Sequence, residues 1–551
     1  MLALVALAVL LVVEGLLPAR ARATTSWLRR AQTGSGIRTA VRLLLLVLVV
    51  AREPAAGRSG PLAVLLATGA LLASRGLWYW LVRRSLQIQR AVVQWRGLDV
   101  AGATSGPALA PVPALLGQRL TDGAVLRLEV LLVAGTLLAL LTGTGTLLVG
   151  AAGLTAALAV AFALSGVRMG LRTHRLPPHA ELLGRVAGAV ADLGPEVVVY
   201  FSSPASGTYA LRVWLDVLRS LRRPPLVLLR EAHHLADLDL DGLPVVVLPG
   251  ADDVQQVQSP SMRGALYPTN VVKNNHMIRL VGVRHAFIGH GDSDKAGSFS
   301  PITRVYDEIW VAGPAGRERY LATREGIRAE QIREVGRPQL AALHRRPARA
   351  PEPGRLSTVL YAPTWEGFYA ASDYCSLTPV GVQAVRALVA SGRYRVLFKP
   401  HPASGQRRAD VLAAIEEIAG LLAAGPHQVL PAGPDALYAA MEEADVLLAD
   451  VSSVLSDWLA TGRPYLVTNP LHVDVAEFRA RFPSAGAGPV VERGGEVPAL
   501  VDEAVGPDAW AAARARLAEH LLGPPREDPV ASFAREVDRF VADSAPAGAR
   551  R

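Results

Sequence analysis

Cysteine is almost absent. Cys375 is the only one in 551 residues, so neither a disulfide nor a cysteine-based zinc site can form within the chain. A small, partly buried hydrophobe is the ordinary role of such a residue. Lysine is missing from residues 1–175, where eighteen arginines face five acids, Glu14, Glu53, Asp99, Asp122 and Glu129. That is a balance of +13 within a whole-chain charge of +9, which leaves the remainder at −4. A sequence pI near 9.9 ordinarily raises nucleic-acid binding. Here the basic residues sit between hydrophobic segments, where they read as membrane topology, so nucleic acid is not an expected partner.

Apolar surface is what the chain has in excess, with 51% hydrophobic residues and a mean hydropathy of +0.27. At this length two or three domains are expected. Residues 1–17, 40–51, 61–81, 126–141 and 147–167 form apolar stretches of the kind that crosses a bilayer, which takes about 20 residues; the second is the weakest. Arginines cluster at Arg20, Arg22, Arg29, Arg30, Arg38 and Arg42, at Arg83, Arg84, Arg90, Arg96 and Arg119, and at Arg168, Arg172 and Arg175. The links 52–60 and 142–146 carry two arginines and none. The positive-inside rule then predicts four or five transmembrane helices in a membrane region over 1–175, with everything after Arg168 in the cytoplasm. The first stretch also reads as a signal peptide with Ala19-Arg20-Ala21 at its cleavage site. Arg75, inside the third, has to snorkel or find a partner. Too few polar interruptions are present for a transporter, and the helices read as an anchor that can also hold a lipid-linked substrate.

After Leu176-Pro177-Pro178 short β-branched runs alternate with amphipathic stretches, the signature of parallel α/β units. Strands are predicted at 196–201, 226–229, 245–248, 285–288, 308–311 and 332–335, with a helix over 210–221, giving an N-terminal Rossmann-like domain at 176–344. A Pro/Arg-rich linker follows at 345–356. The pattern restarts with strands at 358–361, 395–398, 445–448 and 465–467 and a helix over 454–460, a C-terminal Rossmann-like domain at 357–545. Two such domains face each other across a cleft at their strand ends, where ligands bind.

Each candidate motif falls where a strand stops. Gly289-His290-Gly291 puts an imidazole, suited to moving a proton near neutral pH, beside a glycine that lets an anion approach the backbone; the bland alternative is a solvated turn. Lys399-Pro400-His401-Pro402 brings a cation and an imidazole out of one rigid turn. Ser452 and Ser453 open a helix, either as an anion site or as a simple N-cap, and Asp457 lies one turn on. Asp292-Ser293-Asp294 matches a DxD pattern used for divalent metals, although no third oxygen ligand is visible.

Taken in order, His290-Gly291 with Lys295, Tyr361-Ala362-Pro363-Thr364-Trp365, Lys399-Pro400-His401-Pro402 and Asp450-Val451-Ser452-Ser453 with Asp457 resemble the CDP-glycerol glycerophosphotransferase family of teichoic acid synthesis. The resemblance covers about residues 195–475. It implies a GT-B-like α/β fold and transfer of glycerol phosphate from CDP-glycerol to a lipid-linked polymer, with CMP released. It also implies His290 as general base, His401 as phosphate stabiliser, and a donor held against Pro363, Thr364, Lys399, His401, Ser452, Ser453 and Asp457. Gly291, Lys295 and Arg337 complete the implied substrate-binding set. Three positions depart from the family pattern: Asp292-Ser293-Asp294 where uncharged residues are usual, Glu366 where a base is usual, and Gln339 after Pro338 where arginine is usual. They point to a changed donor or acceptor before a changed reaction.

The expectation is thus a cytoplasm-facing, membrane-anchored transferase. Its partners are a CDP-activated donor, a lipid-linked acceptor and membrane lipid, and it takes no cofactor unless Asp292 and Asp294 hold a divalent metal. A GT-B glycosyltransferase using a nucleotide sugar is the enzyme alternative, distinguished by releasing UDP or GDP. A non-catalytic scaffold or polymer-export partner is the other, and it has no need of both histidines.

Overall fold

The computed structural model describes residues 35–107, 118–295, 300–322, 326–343, 345, 355–367, 373–431 and 434–544. The apolar stretch 1–17, the arginines at 20–30 and most of the 345–356 linker lie outside the described residues. The chain divides into two compact units, one of residues 1–92 and 107–179, the other of 93–106 and 180–551.

The first unit is helical: α1 (Ser35–Val50), α2 (Gly60–Ala91), α3 (Gln118–Thr142) and α4 (Gly145–His174). Among the described residues two helices, α2 and α4, are long and apolar enough to cross a membrane. Small residues let them pack closely, as a Cβ on Gly166 would stand 3.3 Å from the Trp78 ring. Arg42 of α1 and Glu129 of α3 form a bidentate pair, at 2.6 and 2.9 Å, buried among the helices. Arg75 finds the partner its position demands, donating to Thr39 Oγ1 at 3.1 Å.

The second unit holds two sheets. The first is nine-stranded, in the order β2-β1-β5-β4-β3-β6-β7-β8-β9. Its strands are β1 (Gln94–Val100), β2 (Ala103–Ser105), β3 (Val197–Phe201), β4 (Leu226–Leu229), β5 (Val245–Val247), β6 (Gly264–Tyr267), β7 (Arg284–Phe287), β8 (Glu308–Val311) and β9 (Ile332–Glu334). From β3 to β9 every pairing is parallel. The second sheet is wholly parallel, in the order β12-β11-β10-β13-β14-β15. It comprises β10 (Ser357–Ala362), β11 (Tyr394–Phe398), β12 (Gln428–Val429), β13 (Val446–Ala449), β14 (Tyr465–Thr468) and β15 (Val490–Val491). The expected α/β class is met by one mixed and one parallel sheet. Continuous apolar runs such as Val197–Phe201 and Val446–Ala449 are buried at every position because helices cover both faces of a parallel sheet.

Three expectations need correction. The region 1–175 is not all helix: β1 and β2 form a ribbon, and β1 pairs antiparallel with β5 (Trp95 against Val246) at the edge of the first sheet. The expected helix over 210–221 breaks into α5 (Tyr209–Arg212) and a second turn at Leu215–Arg219 around the buried Trp214, whose indole N–H donates to Gly289 O at 2.6 Å. In the second sheet's half, Ser453–Trp458 forms α6. The last helix, α7 (Pro529–Asp543), leaves the C-terminal domain to which 357–545 assigned it. Phe533 and Phe540, both fully buried, pack there with Trp214, Trp310 and the β3 core of the first sheet. Each buried phenylalanine is worth roughly 1.5–3 kcal/mol of transfer free energy, enough to fix that return.

Candidate active site

In each sheet the strand order reverses once, between β3 and β6 in the first and between β10 and β13 in the second. A crevice opens at such a switch point, beyond the carboxyl ends of the strands. Ala362-Pro363-Thr364 leaves β10 and Asp450-Val451-Ser452-Ser453 leaves β13. In the first sheet, His290 lies in the loop that leaves β7, the strand next to β6. A pocket is lined from both sheets by His290, Pro363, Lys399, His401, Ser453 and Asp457, with Tyr209, Val213, Leu437, Tyr438 and Val454. A larger cavity of about 390 Å³ lies at the opposite end of the first sheet. Two of its charged groups, Arg223 and Glu196, pair with each other at 2.6 Å, and it gathers no set of groups for catalysis.

Two hydrogen bonds assign the histidine tautomers. His290 Nδ1 lies 3.0 Å from Pro268 O; a carbonyl only accepts, so Nδ1 carries the proton and Nε2 keeps its lone pair. His401 is the reverse, because Ala403 N–H donates to its Nδ1 at 3.1 Å and the proton sits on Nε2. One imidazole is therefore a base and the other a neutral donor. Burial lowers both pKa values. It acts on His290 together with the Arg337 charge. It takes His401 down to about 3 with help from Lys295, Lys399 and His290. At neutral pH neither ring is charged.

The positive charge of the site comes from lysine, of which the chain has three. Lys399 lines the pocket, and burial lowers it to about 8. Lys295 donates to Thr364 Oγ1 at 2.7 Å across the cleft and lies over the Tyr374 ring, and burial takes it too to about 8. Gly291 permits the two sheets' loops to meet, since a Cβ there would stand 2.8 Å from Ser453 Cβ. Gly289, at φ +59°, makes the turn that aims His290. Ser452 caps α6 by position, yet its side chain makes no capping hydrogen bond and its Oγ is buried without a partner.

Several expected site residues are joined to one another. Arg337 and Asp457 form a bidentate pair, Nη2 to Oδ1 at 2.8 Å and to Oδ2 at 3.0 Å, with both side chains 7% exposed. Asp292 and Asp294 both accept from Arg319, and Asp294 Oδ2 also accepts from Ser484 N–H at 2.6 Å. Glu366 is not among the residues that line this pocket: it accepts from Gly405 N–H at 3.1 Å and Arg407 N–H at 3.2 Å, holding the turn that follows His401.

Residues 292–481 match the family model described as CDP-Glycerol:Poly(glycerophosphate) glycerophosphotransferase. The segment belongs to that glycerophosphotransferase family. The match spans 190 of the 551 residues, about a third of the chain. A comparison with curated proteins gave no match. Among solved structures, a variant of the wall teichoic acid polymerase TagF is similar at 12% identity and TM-score 0.44, over 66% of this chain and 93% of that one. Anabaena HepE in complex with UDP and glucose is similar at 12% identity and TM-score 0.40, over 63% and 99%. A glycosyltransferase from Rickettsia africae stands at 10% identity and TM-score 0.37, over 63% and 98%.

The glycerophosphotransferase segment begins just after His290, and the structure adds three groups that the motifs did not assign. Tyr209 meets both imidazoles edge-on. Trp365 stacks on His401, 6.2 Å between centroids at 20°. Asp450, fully buried, accepts from Thr364 N–H at 2.7 Å, from Ser376 N–H at 3.2 Å and from the Thr468 hydroxyl, which ties the β10 and β13 loops together. Asp450 stands in a motif already noted, so its position at a strand end was the available signal. Tyr209 carried only one, its place after the loop that leaves β3.

Proposed function

We propose that the chain transfers glycerol phosphate, or a related polyol phosphate, from a CDP-activated donor to the hydroxyl of a lipid-linked acceptor in cell-envelope polymer synthesis. The observation that carries this is the pair of opposed tautomers across one cleft. His290 Nε2 takes the acceptor's proton as its oxygen attacks the β-phosphorus. The bond from that phosphorus to the CMP oxygen breaks, and CMP leaves. His401 Nε2–H and the Lys399 ammonium stabilise the charge that develops on the phosphoryl and leaving oxygens. Thr364, Ser452 and Ser453 supply hydroxyls to the diphosphate, and Lys295 holds Thr364 in place. Arg337 acts through Asp457, orienting it at the pocket wall. The reaction as written takes no metal: Asp292 and Asp294 serve to hold Arg319 and Ser484.

The enzyme is anchored in the cell membrane with its catalytic sheets in the cytoplasm. Two long apolar helices and the arginines at their ends support this. So does β1, which connects α2 directly to a strand of the catalytic sheet. The test is to incubate membranes containing the protein with CDP-glycerol and a lipid acceptor and to identify the nucleotide released. CMP supports the reading; UDP or GDP release from a nucleotide sugar, with none from CDP-glycerol, rejects it in favour of a glycosyltransferase.

A further inference from the structure

Tyr209 opens α5, directly after the loop that leaves β3 at the switch point of the first sheet. Its ring stands edge-on to His290, 5.4 Å between centroids at 78°, and edge-on to His401, 5.6 Å at 81°. One phenol ring thus bridges the two imidazoles of the site. It is held there: the hydroxyl of Thr208, the preceding residue, lies within 2.9 Å of Ala205 O and 3.1 Å of His234 Nδ1 and can donate to one of them at a time, and His234 Nε2–H donates to Ser203 O at 3.0 Å. Val213, one turn further along, lines the same pocket and makes that wall apolar. Tyr209 and Val213 thus set an aromatic and aliphatic wall beside His290 in that pocket.

We infer that Tyr209 selects what attacks the donor, excluding water from His290 and admitting the acceptor alcohol. The inference rests on the transferase reading. In transfer, the acceptor oxygen bonds to the β-phosphorus, its proton goes to His290 Nε2, and CMP departs with the electron pair of the broken P–O bond. In hydrolysis water takes the acceptor's place in the same steps, giving glycerol phosphate and CMP. Tyr209 sets the ratio between the two.

The experiment uses the full chain in detergent with CDP-glycerol and a lipid acceptor, and measures CMP, free glycerol phosphate and extended acceptor together. Tyr209→Ala is expected to raise the ratio of hydrolysis to transfer by roughly two- to tenfold, the value of one or two aromatic contacts. Tyr209→Leu should fall between, which covers the case in which the alanine variant fails to fold. Tyr209→Phe should keep the wild-type ratio, because the ring and not the hydroxyl faces the imidazoles. A role in folding alone would lower both products together and leave the ratio unchanged, which overturns the inference. A shift in Tyr209→Phe equal to that in Tyr209→Ala overturns it as well. Failure of the wild type to release any CMP rejects the transferase reading beneath it, so the two failures are told apart.

Discussion

Gly291→Ala places a methyl group 2.8 Å from Ser453 Cβ and 2.9 Å from its Oγ. The backbone at Gly291 is not left-handed, so the effect is one of contact and not of backbone strain. Ordinary carbon contacts lie near 3.5–4.0 Å, and relief of the overlap demands a displacement of roughly 0.7–1.2 Å. The loop that moves carries His290, and the residue it moves against opens the proposed phosphate site. A misplacement of about 1 Å between reacting groups is worth on the order of 10²-fold in rate. Overpacking should cost about 1–3 kcal/mol of stability at most, and the protein stays folded. The assay is kcat/KM for CMP release, with a thermal melt beside it. Gly291→Ala combined with Ser453→Gly removes the atoms in conflict, and the double variant should recover part of the loss, a coupling of about 1 kcal/mol or more. Full activity in Gly291→Ala, or strictly additive losses in the double variant, refutes the meeting of the two loops over one substrate.

Other perturbations separate the remaining roles. His290→Ala should lower kcat by about 10²- to 10⁴-fold, the usual value of positioned proton transfer, with little change in melting temperature. The pH profile of kcat/KM should have an acidic limb below the ordinary histidine value of 6.5, because burial depresses His290 and it loses its lone pair only as pH falls through that lowered pKa. It should also have a basic limb near pH 8, where Lys295 and Lys399 lose their ammonium charge as pH rises; a profile flat from pH 7 to 10 contradicts the lysine roles. Glu366→Ala removes the acceptor of the half-buried Gly405 N–H and of the N–H of the exposed Arg407, at about 0.5–1.5 kcal/mol per hydrogen bond, and should lower both the melting temperature and kcat, whereas Glu366→Gln keeps an acceptor and most of the activity. Arg337→Ala leaves Asp457 buried and unpaired and should destabilise by about 3–5 kcal/mol in denaturant unfolding, more than the double change to alanine at both positions.

The sequence carried the sheets well where burial wrote itself into composition. Val197–Phe201, Leu226–Leu229 and Val446–Ala449 are continuous apolar runs because helices cover both faces of their sheets. The four motifs were legible for a related reason: each sits where such a run stops, and parallel sheets collect those ends on one edge. Partners remote in sequence were not legible. Asp457 reads as a ligand group until Arg337, 120 residues earlier, is seen to hold it. Glu366 reads as a carboxylate beside the diphosphate until Gly405 and Arg407 are seen to bond it. The β1–β2 ribbon escaped because Gln94–Val100 has weak alternation, and only its pairing with β5, some 150 residues away, makes it a strand. The return of α7 to the first sheet is invisible for the same reason, as Phe533 and Phe540 find their core more than 300 residues back, at Val197 and Trp214.

The most direct test is the protonation of the two histidines, read at pH 7 from ¹⁵N shifts of histidine-labelled protein, with His290→Ala and His401→Ala used to assign the signals. The account predicts both rings neutral and opposed, His290 with the proton on Nδ1 and a bare Nε2, His401 with the proton on Nε2. Matching tautomers, or an imidazolium at either position in the free enzyme, would contradict it.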